Sequence, residues 1–535
     1  MSTSSNSAPV IGASVSASAV DRDVLRLEFK RNMGQISRQS LVFFAGTIFT
    51  MGAGYLVKIY VARVLGAEQL GLYALGMTLV TLTQLFAVLG LQGTAGRYVA
   101  VYNATGKWNE LRGLLMRTVS MAVLLNLLFA AVMVAAGPWI VRKFYHAPDL
   151  APYLPYFAAL TVLGSLSVLY CQILAGFKDV AKRTVITNFI GSPLVIALTV
   201  VFLAIGTGMR GYLWAQIINT IVVVALLVAV AWKLTPQAAR FSLARLPALD
   251  PEVVGFTAAA FGMGALDFLV SQADKVLLGL YLNPTLVGIY VVATSMSSLI
   301  PIILQSVNQI FAPVIADLHA QNRREVLERL FQTLTKWVLG LTFPLAFVVT
   351  VFARPLMRIF GSGFESGWPV LVIGALGQII NCAVGSVGYL LLMSGNQKRL
   401  MKVQFSMAAI SLLVNITLIP VLGIVGAAVA AALVNAAGNL WNLSEVRKSL
   451  GIFPYNRTYF ALILPATLAA SAVLLVRWST ASASRGWVAV LLALVVSYAI
   501  FCGSAAAFAL DQDDRMIALS AWAQLRGMVR KGENN

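Results

Sequence analysis

The sequence predicts an all-α polytopic membrane protein of fourteen transmembrane helices. They are expected to form two six-helix bundles related by a pseudo-twofold along the membrane normal, plus two extra C-terminal helices. Three observations lead there: composition, the alternation of positive charge between successive loops, and an internal repeat. Of 535 residues 59% are hydrophobic and 11% charged, and the mean hydropathy is +0.83, whereas soluble chains run about 45–50% apolar and about 25% charged. So little polar side chain cannot coat a soluble particle. A helix needs about 20 apolar residues to cross hydrocarbon. Apolar runs fall at approximately 41–63, 70–92, 115–137, 152–175, 185–206, 212–232, 254–280, 286–313, 330–352, 367–393, 403–421, 423–444, 458–476 and 487–510.

The net charge of +19 does not indicate nucleic acid, which would need the basic residues gathered on one face or tract; here they are scattered in small groups. His146 and His319 are the only histidines, so no histidine-based metal centre can be assembled, and neither metal nor cofactor is expected. Cys171, Cys382 and Cys502 fall inside apolar runs and read as small hydrophobes, without a disulfide framework.

In chain order, residues 1–39 read as a cytoplasmic N-terminal tail. Its first 20 residues are uncharged and rich in Ser and Ala, and the charges follow from Asp21 to Arg38, the reverse of a signal peptide. Val24, Leu25, Leu27 and Phe29 among Arg26, Lys30 and Arg31 suit a short helix on anionic headgroups. The first bundle is expected at 40–235, a cytoplasmic linker at 236–252, the second bundle at 253–446, helices 13 and 14 at 447–510, and a cytoplasmic C-terminal tail at 511–535. Assigning loops alternately to two sides puts 29 of the 39 Lys and Arg on one side. The positive-inside rule makes that side cytoplasmic. Both termini are then inside, the span number is even, and removing any one span would mix the two sets downstream.

The repeat carries the architecture. Leu65-Gly66-Ala67-Glu68-Gln69-Leu70-Gly71-Leu72-Tyr73 matches Leu282-Asn283-Pro284-Thr285-Leu286-Val287-Gly288-Ile289-Tyr290 at a shift of 217, which also places Lys58 on Lys275. Leu174-Ala175-Gly176 matches Met393-Ser394-Gly395 before a basic loop. Six spans, an even number, separate the copies, so the halves face the same way and should flank a central cavity.

The run Arg63-Val64-Leu65-Gly66-Ala67-Glu68-Gln69-Leu70-Gly71-Leu72-Tyr73 also resembles the signature of bacterial polysaccharide transporters, the Wzx-type lipid-linked oligosaccharide flippases. Leu89-Gly90-Leu91 leading to Arg97-Tyr98, Asp274-Lys275 before Leu277-Leu278-Gly279, Phe311-Ala312-Pro313, Phe360-Gly361 and Ser394-Gly395-Asn396 add to the likeness. It covers most of residues 36 to about 450 and marks the wider superfamily that holds multidrug exporters and lipid II flippases. The resemblance implies the fold, a transport role in the bacterial inner membrane, and a lateral opening beside spans 1 and 8.

An ionised side chain at mid-bilayer costs about 2.5–3.5 kcal/mol on insertion scales, so such groups are functional suspects. Asp267, Ser271 and Asp274 lie at i, i+4 and i+7 on one stripe of span 7, with Lys275 beside it. The alternative is an ion pair of Asp274 with Lys275 or Lys58 that merely joins spans 1 and 7. Thr47, Thr50, Gly54 and Lys58 share a face of span 1, where Lys58 lies about 10 Å from the span end and is within snorkelling reach. Span 8 carries Ser298, Pro301, Gln305, Asn308 and Gln309 on one broad face and should bend at the proline. Span 10 offers Gln378, Asn381 and Gly385; Asn435, Asn439 and Asn442 of span 12 read as helix–helix glue. Arg97, Lys107, Arg112 and Arg117 are the densest basic group near a cavity mouth, suited to a diphosphate or to topology alone.

The expected activity is therefore non-enzymatic. A flippase would carry an undecaprenyl-diphosphate-linked oligosaccharide across the phospholipid bilayer by alternating access, alongside other polysaccharide assembly proteins, with Asp267 or Asp274 as ion-coupling candidates. The cavity candidates are Lys58, Arg97, Arg117, Asp267, Ser271, Asp274, Lys275, Ser298, Gln305, Asn308, Gln378 and Asn381. A cation-coupled multidrug exporter, a lipid II flippase, a membrane oligosaccharide polymerase or ligase, and a non-transporting assembly partner are the rivals. The enzyme would need acid–base groups on a sizeable outer loop, and the longest such loops, Pro138 to Asp149 and Ala353 to Trp368, offer no evident pair.

Overall fold

The computed structural model describes residues 52–239, 250–480 and 486–508. The start of the first expected span, with Thr47 and Thr50, lies outside them, as do both expected tails and much of the linker. The described chain is helical, without strands. Its helices are α1 (Gly52–Val88), α2 (Leu91–Thr105), α3 (Trp108–Lys143), α4 (Leu154–Gly176), α5 (Val180–Ala204), α6 (Gly208–Leu234), α7 (Pro251–Tyr281) and α8 (Pro284–Ser297). They continue with α9 (Ile302–Ala320), α10 (Arg324–Val351), α11 (Ala353–Ile359), α12 (Trp368–Val384), α13 (Val387–Met393), α14 (Gln397–Leu450), α15 (Ile463–Ser479) and α16 (Gly486–Phe508). Among the described residues eleven helices are long and apolar enough to cross a bilayer, or twelve if α8 and α9, bent by 53°, form one span. That bend falls at the expected proline, Pro301, which caps α9.

The sequence predicts separate spans at 41–63 and 70–92, and at 403–421 and 423–444; the structure runs each pair as one helical segment, α1 and α14. Neither is straight. Lys58 and Thr78 line the same cavity, although a straight helix would hold them about 30 Å apart at 1.5 Å per residue. The chain therefore folds back between them, at Gly66, whose φ of +76° suits glycine. In α14 the break is Gly423, at φ 59° and ψ −136°. Beyond it a Cβ on Gly426 would overlap the Leu418 carbonyl oxygen, eight residues back and about 12 Å away in a straight helix. Each segment is thus a turned pair of helices without an intervening loop.

Core packing divides the molecule into two ends. At the end holding Leu65 and Leu282, one continuous apolar core joins both halves of the chain, with Leu75, Leu278, Tyr290, Val348, Phe352 and Phe364 buried in it. The loops expected outside, around Tyr145 and from Ala353 to Trp368, fold into this core as short helices. At the other end each half has its own core, one around Leu169, Ile173 and Leu227 and one around Phe331, Leu390 and Val446, and a smaller cluster of Tyr98, Val99, Leu111, Leu114 and Val253 joins the halves through α2 and α7. Joined broadly at one end and by a smaller cluster at the other, the halves leave space between.

Candidate functional site

Three neighbouring cavities, or lobes, lie around α7; the first and third are lined by both halves of the chain, the second by residues of the second half alone. The first lobe, about 470 Å³, is lined by Lys58, Tyr73, Tyr212, Gln216, Gln272 and Lys275 among others. The second, about 380 Å³, holds Ser271, Asp274, Lys275, Ser298, Gln378 and Asn435. The third, about 500 Å³, holds Gln84, Gln92, Phe256, Asp267, Ser271 and Gln272. Lys275 belongs to the first and second lobes, Gln272 to the first and third, and Ser271 to the second and third, so α7 presents its polar stripe to all of them.

Along that stripe the charges are held by neutral groups. The Tyr290 hydroxyl donates to Asp274 Oδ2 at 2.7 Å. Lys275 Nζ donates to Gln272 Oε1 at 2.9 Å and to the Ser271 carbonyl at 3.2 Å. Neither Asp274–Lys275 nor Asp274–Lys58 is among the ion pairs of the described residues. Lys58 lies over the Tyr55 ring at 5.2 Å, and the Tyr55 hydroxyl donates to the Ser295 carbonyl at 2.5 Å, tying α1 to α8 beside the cavity. The two lysines that the repeat superposes thus face one lobe.

The end with separate cores is bridged by α2, a helix where the sequence predicts a loop. Arg97 pairs with Glu252 at 3.6 Å and stacks on Phe256 at 4.7 Å. The Tyr98 hydroxyl donates to Glu252 at 3.0 Å, and Thr94 and Thr257 hydroxyls meet at 2.8 Å. Desolvation and then the Glu252 bond raise the Tyr98 phenol above its ordinary pKa, keeping it a donor. A Cβ on Gly90 would lie 2.5 Å from the Thr257 carbonyl oxygen. Arg97 is therefore in the closure of the cavity mouth, outside the three lobes.

The remaining candidates separate. Gln378 lines the second lobe, while Asn381 stands behind it, donating to Gln378 Oε1 at 3.1 Å. Arg117 is half-buried on α3 and lines none of the three lobes. Gln305 and Asn308 lie on α9, past the bend; Gln305 is exposed, and Asn308 is buried with Oδ1 unpartnered among the described residues. Sequence reasoning missed Gln216, Gln272 and Tyr290. The repeat held a signal for Tyr290, the counterpart of Tyr73. Lys336, which the charge pattern groups with loop residues, is buried in α10 at 2% exposure. Cys502 is exposed, so it is not the buried hydrophobe expected.

The family described as polysaccharide biosynthesis protein matches this chain over residues 60–369. The chain is similar to the probable low-salt glycan biosynthesis flippase Agl15 of Haloferax volcanii, 23% identical over 74% of this chain and 80% of that one. It is also similar to the succinoglycan biosynthesis transport protein ExoT of Rhizobium meliloti, 26% identical over 62% of this chain and 63% of that one. The fold is shared with the lipid II flippase MurJ in an inward closed conformation, at a TM-score of 0.66 and 16% identity over 86% of this chain and 98% of that one. An inward-facing multidrug resistance MATE transporter gives a TM-score of 0.61 at 14% identity, over 77% of this chain and 98% of that one. With more than half its length matched, the chain belongs to the polysaccharide biosynthesis protein family and is a multi-pass membrane protein.

Proposed function

We propose that the protein is a flippase that carries the head of an undecaprenyl-diphosphate-linked oligosaccharide from the cytoplasmic to the outer leaflet, leaving the polyprenyl tail in lipid. The observation that carries this reading is the convergence of Lys58 and Lys275 on one lobe between the halves. Two ammonium groups facing one cavity favour an anionic diphosphate and disfavour the organic cation of a drug exporter. Similarity to relatives named as flippases, one of them of glycan biosynthesis, supports the same class. Relatives named as a flippase and a transport protein support the non-enzymatic reading.

In this reading α1 and α14 are each two crossings, turned at Gly66 and Gly423, and the chain makes fourteen. Residues 40–235 and 253–446 are the two bundles, with helices 13 and 14 from 447–510 at their side. The positive-inside rule makes the α2 end cytoplasmic, in the inner membrane with both termini inside. Arg97 and Glu252 then form a cytoplasmic latch, and the shared core is the outer seal. Other polysaccharide assembly proteins would supply and take away the lipid.

The test is reconstitution of the full chain in vesicles with an undecaprenyl-diphosphate-linked oligosaccharide whose outer-leaflet exposure is followed by a membrane-impermeant sugar oxidant. Replacing both lysines, Lys58→Gln with Lys275→Gln, should slow flipping at least tenfold. An undiminished rate in the folded double variant would reject the reading.

A further inference from the structure

We propose that the second lobe is a sugar-recognition subsite whose donors are oriented by a chain of amides behind it, with Asn381 and Asn439 as positioning residues. This rests on the flippase reading and deepens it. Asn439 Nδ2 donates to Asn435 Oδ1 at 2.8 Å and to Asn381 Oδ1 at 3.1 Å, and Asn381 Nδ2 donates to Gln378 Oε1 at 3.1 Å. The acceptor end of each lobe-lining amide, Asn435 and Gln378, is thus occupied from behind. With one lone pair of each oxygen taken, the NH₂ group is the larger part of what each has left for the lobe.

A second set of groups in the lobe has the reverse polarity. Thr294, Ser295 and Ser298 of the α8 end line the same lobe. Their hydroxyls donate to the carbonyls of Tyr290, Val292 and Ser295 at 2.9, 2.8 and 2.6 Å. With each proton committed to the backbone, the oxygens offer lone pairs. Asp274, already accepting from Tyr290, adds a carboxylate acceptor.

Amide donors together with hydroxyl and carboxylate acceptors in one lobe match a ligand whose groups both accept and donate, and adjacent sugar hydroxyls do so. A diphosphate only accepts; Lys275 at the border with the first lobe would attract it, but deeper in this lobe it would meet the Asp274 carboxylate and the hydroxyl lone pairs. An organic cation would meet two amide NH₂ groups. The lobe adjoins the lysine-lined one through Lys275, so the first sugar and the diphosphate of one lipid can occupy neighbouring lobes. Helix–helix glue, the role the spacing of the α14 asparagines predicts, describes Asn439, which bridges α14 to α12; Asn435 faces the lobe.

The experiment measures binding to the purified full chain by intrinsic tryptophan fluorescence, with two probes: bare undecaprenyl diphosphate, and the same lipid carrying one hexose or one N-acetylhexosamine. Wild type should bind the better glycosylated probe at least fivefold more tightly than the bare lipid. Gln378→Ala with Asn435→Ala should abolish that advantage, and Asn439→Leu or Asn381→Ala should cut it about threefold to fivefold, with bare-lipid affinity kept in Asn439→Leu, whose side chain lines no lobe. An advantage that survives in the double variant, or equal binding of both probes by wild type, overturns the subsite. Loss of bare-lipid affinity in both positioning variants marks them as structural and overturns that role. Failure of wild type to bind either lipid would instead remove the flippase reading beneath it.

Discussion

Gly71 and Gly288 pack backbone against backbone at the joined end of the molecule. A Cβ on Gly71 would overlap the Pro284 carbonyl oxygen and lie 3.1 Å from the Gly288 nitrogen; one on Gly288 would overlap the Ala67 carbonyl oxygen and lie 2.9 Å from the Gly71 nitrogen. Gly288 is the repeat counterpart of Gly71, and Pro284 that of Ala67. The contact is therefore reciprocal, as in a twofold interface where each partner offers the same surface. Small residues let membrane helices approach this closely, and the repeated glycine motif is explained by the two copies meeting each other.

Because the contact is backbone on both sides, no side chain can rotate away to admit a methyl group. Gly71→Ala and Gly288→Ala should each destabilise the fold by about 1–3 kcal/mol, the cost of overpacking a close contact. The double variant should lose less than twice as much, since both changes part the same pair. Thermal unfolding in detergent measures this; an unchanged melting point in either single variant would show that the crossing is not tight.

At the opposite end the latch is exposed, with side-chain exposures of 52% for Arg97 and 69% for Glu252, so solvent screening leaves it little weight in stability. Glu252→Gln removes the ion pair and weakens acceptance from Tyr98. It should leave thermal stability almost unaltered yet speed maleimide labelling of a Ser271→Cys probe, in a background where exposed Cys502 is replaced by Ala. Equal labelling rates with and without the latch would show that it does not guard the cavity.

Glycines in two settings should respond with opposite sign. A methyl group placed on Gly423 would meet nothing closer than Leu282 Cδ1 at 3.9 Å, but the backbone there is at φ 59° and ψ −136°. Gly423→Ala should therefore cost about 1–3 kcal/mol through conformational strain alone. Gly255, helical in α7 with nothing within 4 Å, should gain about 0.5–1 kcal/mol as Ala. Paired melting curves decide it, and a shift of the same sign at both sites would refute the distinction.

Asp267 is exposed and lines the third lobe. As the charged residue of that lining, it is the ion-coupling candidate to test first. Asp267→Asn should reduce the dependence of flipping on an imposed ion gradient while leaving bare-lipid binding intact. Retention of full gradient dependence would remove Asp267 from coupling.

The sequence by itself determined the membrane setting, the helical class, the bend at Pro301 and the presence of two copies, because apolar length, proline and residue spacing act locally along the chain. It also placed Asp267, Ser271 and Asp274 on one stripe, since a helix fixes which residues share a face. Tertiary structure alone decided what that stripe meets. Whether Asp274 finds Lys58 or Tyr290, whether Arg97 lines a cavity or latches its mouth, and whether Asn381 faces a lobe or the amide behind it all depend on packing between segments far apart in the chain. Hydropathy records how apolar a helix is, but carries no information about which neighbour covers each of its faces.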